Sequence, residues 1–300
     1  MPADEPLAQL LDQLGLETLG GDRFRGASPP RPNGRIFGGL VLAQGMRAAF
    51  STVEDRMAHS LHAYFLRPGD PQQPIDYAID RIRDGRSFTT RRIVANQGDR
   101  PILNMAISFM VEEAGFEHQL DIEIPTTIEG EQYEDGLRRG LRARGIELPG
   151  DEPPLQPVEI RSSEPLRIFD EERYEPTMHT WLRTRGTLPD DPALHQCILA
   201  YASDLSVMVP TIHPHDVGLV SPGVHSASLD HAMWFHRPLR IDEWHYCRHE
   251  SPVSANARGF GIVTFYTRAG VLVASCTQEG LIRQDSRHAN VAPSDERRAS

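Results

Sequence analysis

The sequence predicts an α+β protein made of two copies of one unit, each a buried helix followed by an antiparallel meander of strands. First, a helix-length apolar stretch is followed by four strand-like runs, and the same order returns later in the chain. Second, Phe65-x-Arg67-Pro68 matches Phe235-x-Arg237-Pro238 at an offset of 170 residues. Two copies exclude a solenoid. We expect the copies to pack sheet to sheet about a pseudo-twofold axis.

The first copy, predicted to span residues 1–115, opens with leucines at helical spacing over 7–14, with Gly15 as the residue after the helix. Residues 37–50 are apolar on nearly every side, which indicates a helix enclosed by other structure. Strand-like runs separated by turn residues follow at 61–66, 75–82, 87–95 and 101–109.

Residues 116–160 are acidic and rich in Pro and Gly, which predicts a linker with one polar helix near the arginines of 138–144. The second copy is predicted over 161–284. Its elements are a strand at 178–184, a helix at 193–205 and strands at 226–235, 244–250, 258–267 and 271–282. The tail, 285–300, lacks apolar periodicity and is predicted to be disordered.

Composition excludes several classes of function. The chain has 300 residues, 39% of them hydrophobic and 24% charged, with 31 basic and 42 acidic residues and a net charge of −11. An excess of negative charge disfavours binding to nucleic acid. Every basic residue is Arg, which excludes a lysine Schiff base and the lysine of a phosphate-binding loop.

The predicted location is the cytoplasm, without membrane association. Three widely spaced cysteines form no C-x-x-C pair, which favours a reducing compartment. The first residues are acidic where a signal peptide is basic. No stretch reaches the roughly 18 apolar residues of a membrane helix.

Two polar residues interrupt apolar faces of the second copy. Asp204 falls on the inward stripe of the helix, so it is either a functional carboxylate or a helix-terminal group bonded to nearby backbone. Gln278 lies on an apolar strand face and is either a site residue or an edge amide bonded to a loop carbonyl. Alternation does not settle which way Ser228 points.

Several segments resemble the signature segments of the type II acyl-CoA thioesterases, the TesB family. The most specific is D-H-x-M-W-F-H-R-P at 230–238; others are Y-A-S-D-L at 201–205, Q-E-G at 278–280, F-G-G at 37–39 and R-D-G-R-S-F at 83–88. The resemblance covers about residues 7–283. It implies a double hotdog fold, in which each unit is an antiparallel sheet wrapped around a central helix.

The resemblance also implies hydrolysis of acyl-CoA to a free acid and CoA, with the attacking water held by Asp204, Ser228 and Gln278. Many relatives carry Thr where Ser228 stands. No metal or bound cofactor is implied, since CoA belongs to the substrate. A homodimer or larger homo-oligomer is expected, while the preferred acyl length is not predicted.

Several alternatives stay open. The same fold suits an acyl-thioester hydratase or dehydratase, or a non-catalytic acyl-CoA-binding module. Ser228 is also a conceivable covalent nucleophile. Backbone N–H groups at Gly38-Gly39 are candidates for an oxyanion hole, although paired glycines also permit close packing. The arginines within residues 81–92 could bind the phosphates of CoA, or they could simply keep a strand face soluble. A Ser228–His231–Asp230 triad is rejected because strand neighbours point to opposite faces.

Overall fold

The computed structural model describes residues 5–29, 35–146, 155–169 and 172–285. The predicted tail therefore lies outside the described residues, apart from Asp285. In chain order the elements are α1 (Glu5–Leu14), β1 (Glu17–Thr18), β2 (Arg23–Gly26), α2 (Gly38–Phe50), β3 (Met57–Phe65), β4 (Ile75–Asp84), β5 (Phe88–Gln97), β6 (Arg100–Met110), β7 (Glu131–Gln132), α3 (Tyr133–Ala143), β8 (Val158–Ser162), β9 (Thr177–Thr184), α4 (Pro192–Ser203), a 3-10 turn (Val209–Thr211), β10 (Val224–Ser228), β11 (Asp230–Phe235), β12 (His245–Ala255), β13 (Arg258–Thr267) and β14 (Leu272–Gln284).

All strands of the described residues belong to one antiparallel sheet, in the order β1-β2-β4-β5-β6-β3-β11-β14-β13-β12-β9-β8-β7, with β10 paired to β14. The two halves meet where β3 pairs with β11, from Tyr64 opposite Asp230 to Ser60 opposite Trp234. The expectation of sheet-to-sheet packing is therefore corrected, because the halves join edge to edge. This pairing satisfies backbone groups that two free edges would leave open.

The two long helices are enclosed by the sheet and packed against each other. In α2, Leu42, Ala43 and Met46 are fully buried, as the all-round apolar pattern predicted. A Cβ on Gly39 would lie 2.4 Å from the carbonyl oxygen of Tyr201 in α4. Only glycine permits this approach, which places the start of α2 against the end of α4. One apolar core continues through both halves.

The predicted single strand over 226–235 is two strands. β10 pairs Ser228 with Gly280 of β14, whereas β11 pairs Ala232 with Thr277, one residue out of step. The shift falls where β11 gains β3 as its second neighbour. A shift of one residue reverses which side chains face inward, so Ser228 and His231 face the same side.

The segment between the halves contributes to the second half of the sheet. The polar helix predicted there is α3. Strand β8 spans Val158–Ser162, across the predicted linker boundary, and pairs with β9. Ile122, Ile124 and Ile128 pack on the outer sheet face against an aromatic cluster of Trp181, Tyr246 and Tyr266. The domain boundaries themselves stay predictions.

Candidate active site

The end of α4 places Asp204 between the two halves of the chain. The helix ends at Ser203, two residues before the predicted end, and Asp204 is its C-terminal cap. Its Oδ2 accepts a hydrogen bond from the backbone N–H of Gly39 at 2.8 Å. Asp204 therefore does accept a hydrogen bond from a backbone group, but that group belongs to the first half of the chain and not to its own helix. A helix N-terminus also favours a negative charge at this position.

Ser228 and Gln278 lie beside this carboxylate. The Ser228 hydroxyl donates to Asp204 Oδ1 at 3.5 Å, and Gln278 Nε2 donates to Ser228 Oγ at 2.8 Å. The Gln278 amide also favours the charged form of Asp204 and so lowers the pKa of that carboxyl. The structure thus brings together all three residues that the sequence singled out, from α4, β10 and β14.

Burial raises the pKa of the Asp204 carboxyl above its usual range. Hydrogen bonds from Gln278, Gly39 and Ser228 favour the charged form and oppose this rise. A carboxylate with a raised pKa is a stronger base than an ordinary aspartate, and it remains surrounded by donors that hold it in one orientation.

The three side chains line one cavity of about 450 Å³. Asp204, Ser228 and Gln278, together with Ser226, contribute polar residues to its lining. The remaining lining is largely apolar and comes from both halves; it includes Ile36, Phe37, Val41, Phe65, Leu103, Leu205, Met208, Leu219 and Leu281. Two arginines, Arg35 and Arg67, also line the cavity. The space suits an apolar chain next to a polar reactive group.

His231 belongs to this cluster although the sequence analysis used it only to reject a triad. It is fully buried. Its Nδ1 lies 2.5 Å from Gln278 Oε1, and its Nε2 lies 3.0 Å from Ser203 Oγ. The ring therefore contacts the amide rather than the Ser228 hydroxyl. Asp230 accepts from the backbone N–H of Glu279, so Ser228, His231 and Asp230 do not form a relay.

The two glycines at the start of α2 serve close packing. Gly39 donates its N–H to Asp204, so that donor is already engaged. A Cβ on Gly38 would lie 2.8 Å from Asp204 Oδ2 and from the Phe65 ring. These contacts fit the alternative in which the glycines permit close approach.

The arginine-rich strands of the first half are paired internally. Arg81 binds Asp22, Arg92 binds Asp80, and the buried Arg91 binds Asp84. These three guanidinium groups are therefore held by carboxylates of their own half.

Within the described parts of the chain, no three His, Cys, Asp or Glu side chains cluster as metal ligands do. No helix in those ranges has both the length and the apolarity needed to cross a membrane.

Comparison with known proteins agrees with the geometry. A family model for acyl-CoA thioesterase matches residues 152–281, and one for the acyl-CoA thioesterase N-terminal domain matches residues 27–110. The chain is 36% identical to acyl-CoA thioesterase 2 of Haemophilus influenzae, over 92% of this chain and 98% of the relative. It is 35% identical to human acyl-coenzyme A thioesterase 8, over 94% of this chain and 91% of the relative.

Solved structures confirm the double hotdog fold. The crystal structure of acyl-CoA thioesterase II TesB2 from Mycobacterium marinum superimposes with a TM-score of 0.74 at 34% identity, covering 93% of this chain and 98% of that one. A hot dog fold protein of Alicyclobacillus acidocaldarius superimposes with a TM-score of 0.73 at 18% identity, over 92% of this chain and 98% of that one, which speaks for the fold alone.

Proposed function

Because this chain belongs to the type II acyl-CoA thioesterase family and is a thioester hydrolase, we propose that it hydrolyses fatty acyl-CoA with water activated by Asp204, Ser228 and Gln278. The observation that carries the proposal is that these three side chains line the same largely apolar cavity and contact one another there. The family membership favours hydrolysis over hydration, dehydration or binding without turnover.

In the proposed mechanism Asp204 is the general base. It takes a proton from water while the water oxygen attacks the carbonyl carbon of the thioester. The tetrahedral intermediate then collapses, the carbon–sulfur bond breaks, and the CoA thiolate takes up the proton that Asp204 holds. The products are one carboxylic acid and one thiol, and Asp204 returns to its ionised form.

Ser228 and Gln278 orient the water rather than exchange protons. Neither side chain titrates near neutral pH. The Ser228 hydroxyl and the Gln278 amide are already fixed to each other and to the carboxylate, so the nucleophile is positioned before substrate arrives. Ser has a freer χ1 torsion than Thr, and its bond to Gln278 offsets this freedom.

The apolar part of the cavity is the proposed acyl site. Each methylene removed from water there contributes about 0.8 kcal/mol. The arginines Arg35 and Arg67 line the same cavity and suit the phosphates of CoA, which guanidinium groups bind through paired hydrogen bonds. A cytoplasmic location, independence of a metal or bound cofactor, and a homodimer or larger homo-oligomer stay predictions.

The test is Asp204→Asn, followed by release of CoA thiol from acyl-CoA substrates of graded chain length. We expect kcat to fall by about 10²–10⁴-fold and KM to change little, because the amide retains the shape of the carboxyl. Asp191→Asn is the matched control. Asp191 caps the other end of α4 by accepting from Leu194 N, and Asn caps a helix as well as Asp. Equal activity of the two variants would refute the role of Asp204.

The direct attack of water is tested separately from the identity of the base. A rapid-quench experiment in the first turnover should show free acid and free thiol appearing together. A burst of thiol with an acyl group retained on Ser228 would replace this scheme with covalent catalysis.

A further inference from the structure

His231 contacts the proposed water-holding amide, Gln278, which lines the cavity. Its Nδ1 lies against Gln278 Oε1, and its Nε2 lies 3.0 Å from Ser203 Oγ and 3.3 Å from Cys276 Sγ. Both His231 and Gln278 are buried, with exposed fractions of 0% and 1%. The contact is therefore shielded from competing water.

The neighbours of the Gln278 amide determine which way it faces. An amide oxygen only accepts a hydrogen bond and an amide nitrogen only donates. Ser228 Oγ accepts from Gln278 Nε2 at 2.8 Å, and Ser228 Oγ in turn lies 3.5 Å from Asp204 Oδ1. The opposite orientation would turn the amide oxygen toward the carboxylate of Asp204, and two acceptors repel each other.

The same contacts determine the tautomer of His231. Because Gln278 Oε1 is an acceptor, the hydrogen of the neutral ring resides on Nδ1. Nε2 then carries the lone pair and accepts a hydrogen bond from the thiol of Cys276 at 3.3 Å. The Ser203 hydroxyl, 3.0 Å from Nε2, has one hydrogen and also lies 3.0 Å from the Ala200 carbonyl oxygen, to which it donates. Burial lowers the pKa of His231, which agrees with a neutral ring.

We propose that His231 is a positioning residue for hydrolysis: its Nδ1–H fixes the Gln278 amide so that Nε2 faces Ser228 and Asp204. This role rests on the proposed function, since it acts only through Gln278. His231 does not line the cavity. The chain Ser203–His231–Gln278–Ser228 connects the end of α4 to strands β10, β11 and β14.

The test compares His231→Leu, which removes the donor, with His231→Asn, whose amide N–H stands near the place of Nδ1. We expect kcat to fall about 10- to 100-fold in the Leu variant, as for a misplaced catalytic group, with KM nearly unchanged. The Asn variant should recover most of this loss. Equal losses in both variants would overturn the proposal.

Both His231 variants are then repeated with Gln278→Ala. If His231 acts through the amide, His231→Leu causes no further loss of kcat in that background. A further loss as large as in the parent enzyme would contradict the proposal. If Gln278→Ala alone leaves kcat unchanged, Gln278 does not hold the water and the proposed function is wrong in that part. If Gln278→Ala lowers kcat but His231→Leu still causes its full loss in that background, only the role of His231 is wrong.

His249→Leu is the matched control for loss of a buried histidine. His249 is 2% exposed and pairs with Thr180 Oγ1 at 3.0 Å, on strands β12 and β9, which contribute no residue to the cavity lining. The His249→Leu variant should be less stable than the parent protein but should keep its kcat.

Should His231→Leu not fold, ¹⁵N NMR of histidine-labelled parent protein gives an independent test. Nδ1–H with a bare Nε2 supports the proposal, and the opposite tautomer or a doubly protonated ring overturns it.

Discussion

The contact between the start of α2 and the end of α4 can be tested by adding one methyl group. In Gly39→Ala the new Cβ would lie 2.4 Å from the Tyr201 carbonyl oxygen and 2.5 Å from the Phe37 ring. An ordinary contact needs about 3.4 Å, so the helix ends must separate by about 1 Å. The hydrogen bond from Gly39 N–H to Asp204, now 2.8 Å, would lengthen beyond hydrogen-bonding distance.

The expected cost follows from three contributions. Alanine gains about 1 kcal/mol over glycine in a helix. Overpacking costs about 1–3 kcal/mol, and losing a hydrogen bond to a charged group costs about 1.5–3 kcal/mol. The free energy of unfolding should therefore drop by about 1.5–5 kcal/mol. Displacement of Asp204 by about 1 Å should also lower kcat about 100-fold.

Gly45→Ala in the same helix is the control. Its new Cβ would meet the terminal methyl of Met105 at 2.6 Å, and next Ile93 at 3.6 Å. A flexible side-chain end moves easily, so stability should stay within about 1 kcal/mol of the parent and activity should be retained. The assays are urea unfolding and thiol release from acyl-CoA. If the two variants behave alike, close approach at Gly39 does not hold Asp204 in place.

Two more predictions concern titratable groups. Because burial raises the pKa of Asp204 and the base must be ionised, kcat/KM should fall as the pH drops through a value above the range of ordinary aspartates. Ser228→Ala removes a donor to the charged form, so this limb of the pH profile should move to higher pH; a shift to lower pH would contradict the role of Ser228. Cys197, Cys247 and Cys276 are buried, and burial raises the pKa of Cys197 and of Cys247 to about 12. The native protein should therefore react with a thiol reagent at neutral pH far more slowly than the unfolded chain, in which three thiols per chain react; rapid labelling of the native protein would contradict their burial.

Local pattern predicted most of the secondary structure. The all-round apolar stretch over 37–50 became α2 within one residue at its start. The runs over 75–82, 87–95 and 101–109 became β4 to β6 within two residues at each end, whereas β3 begins four residues before the predicted run over 61–66. Periodicity reports which side chains are buried, and in this fold both central helices and alternate strand residues are buried.

The contact between halves was not predictable in the same way. The edge pairing of β3 with β11 depends on backbone hydrogen bonds. A strand at a free edge and a strand paired on both edges have the same alternation of apolar and polar side chains, so the sequence does not distinguish them. The expected packing of sheet on sheet came from symmetry alone and was wrong for this reason.

The site was predicted through its polar exceptions and the family resemblance. Asp204 and Gln278 interrupt apolar faces, and Ser228 was placed only by resemblance. His231 was missed because a regular strand would turn it away from Ser228. The one-residue register shift after Ser228 removes that restriction, and a shift of this kind leaves no composition signal. The N–H of Gly39 is backbone and is likewise invisible to side-chain patterns.

The β3–β11 seam has a consequence for how the duplicated halves change over generations. After duplication, a copy without the reacting side chains is ordinarily free to accumulate substitutions. Here the first half supplies β3, which pairs along one edge of β11, and the backbone N–H of Gly39, which donates a hydrogen bond to Asp204. Selection for turnover in the second half therefore also preserves the packing of the first.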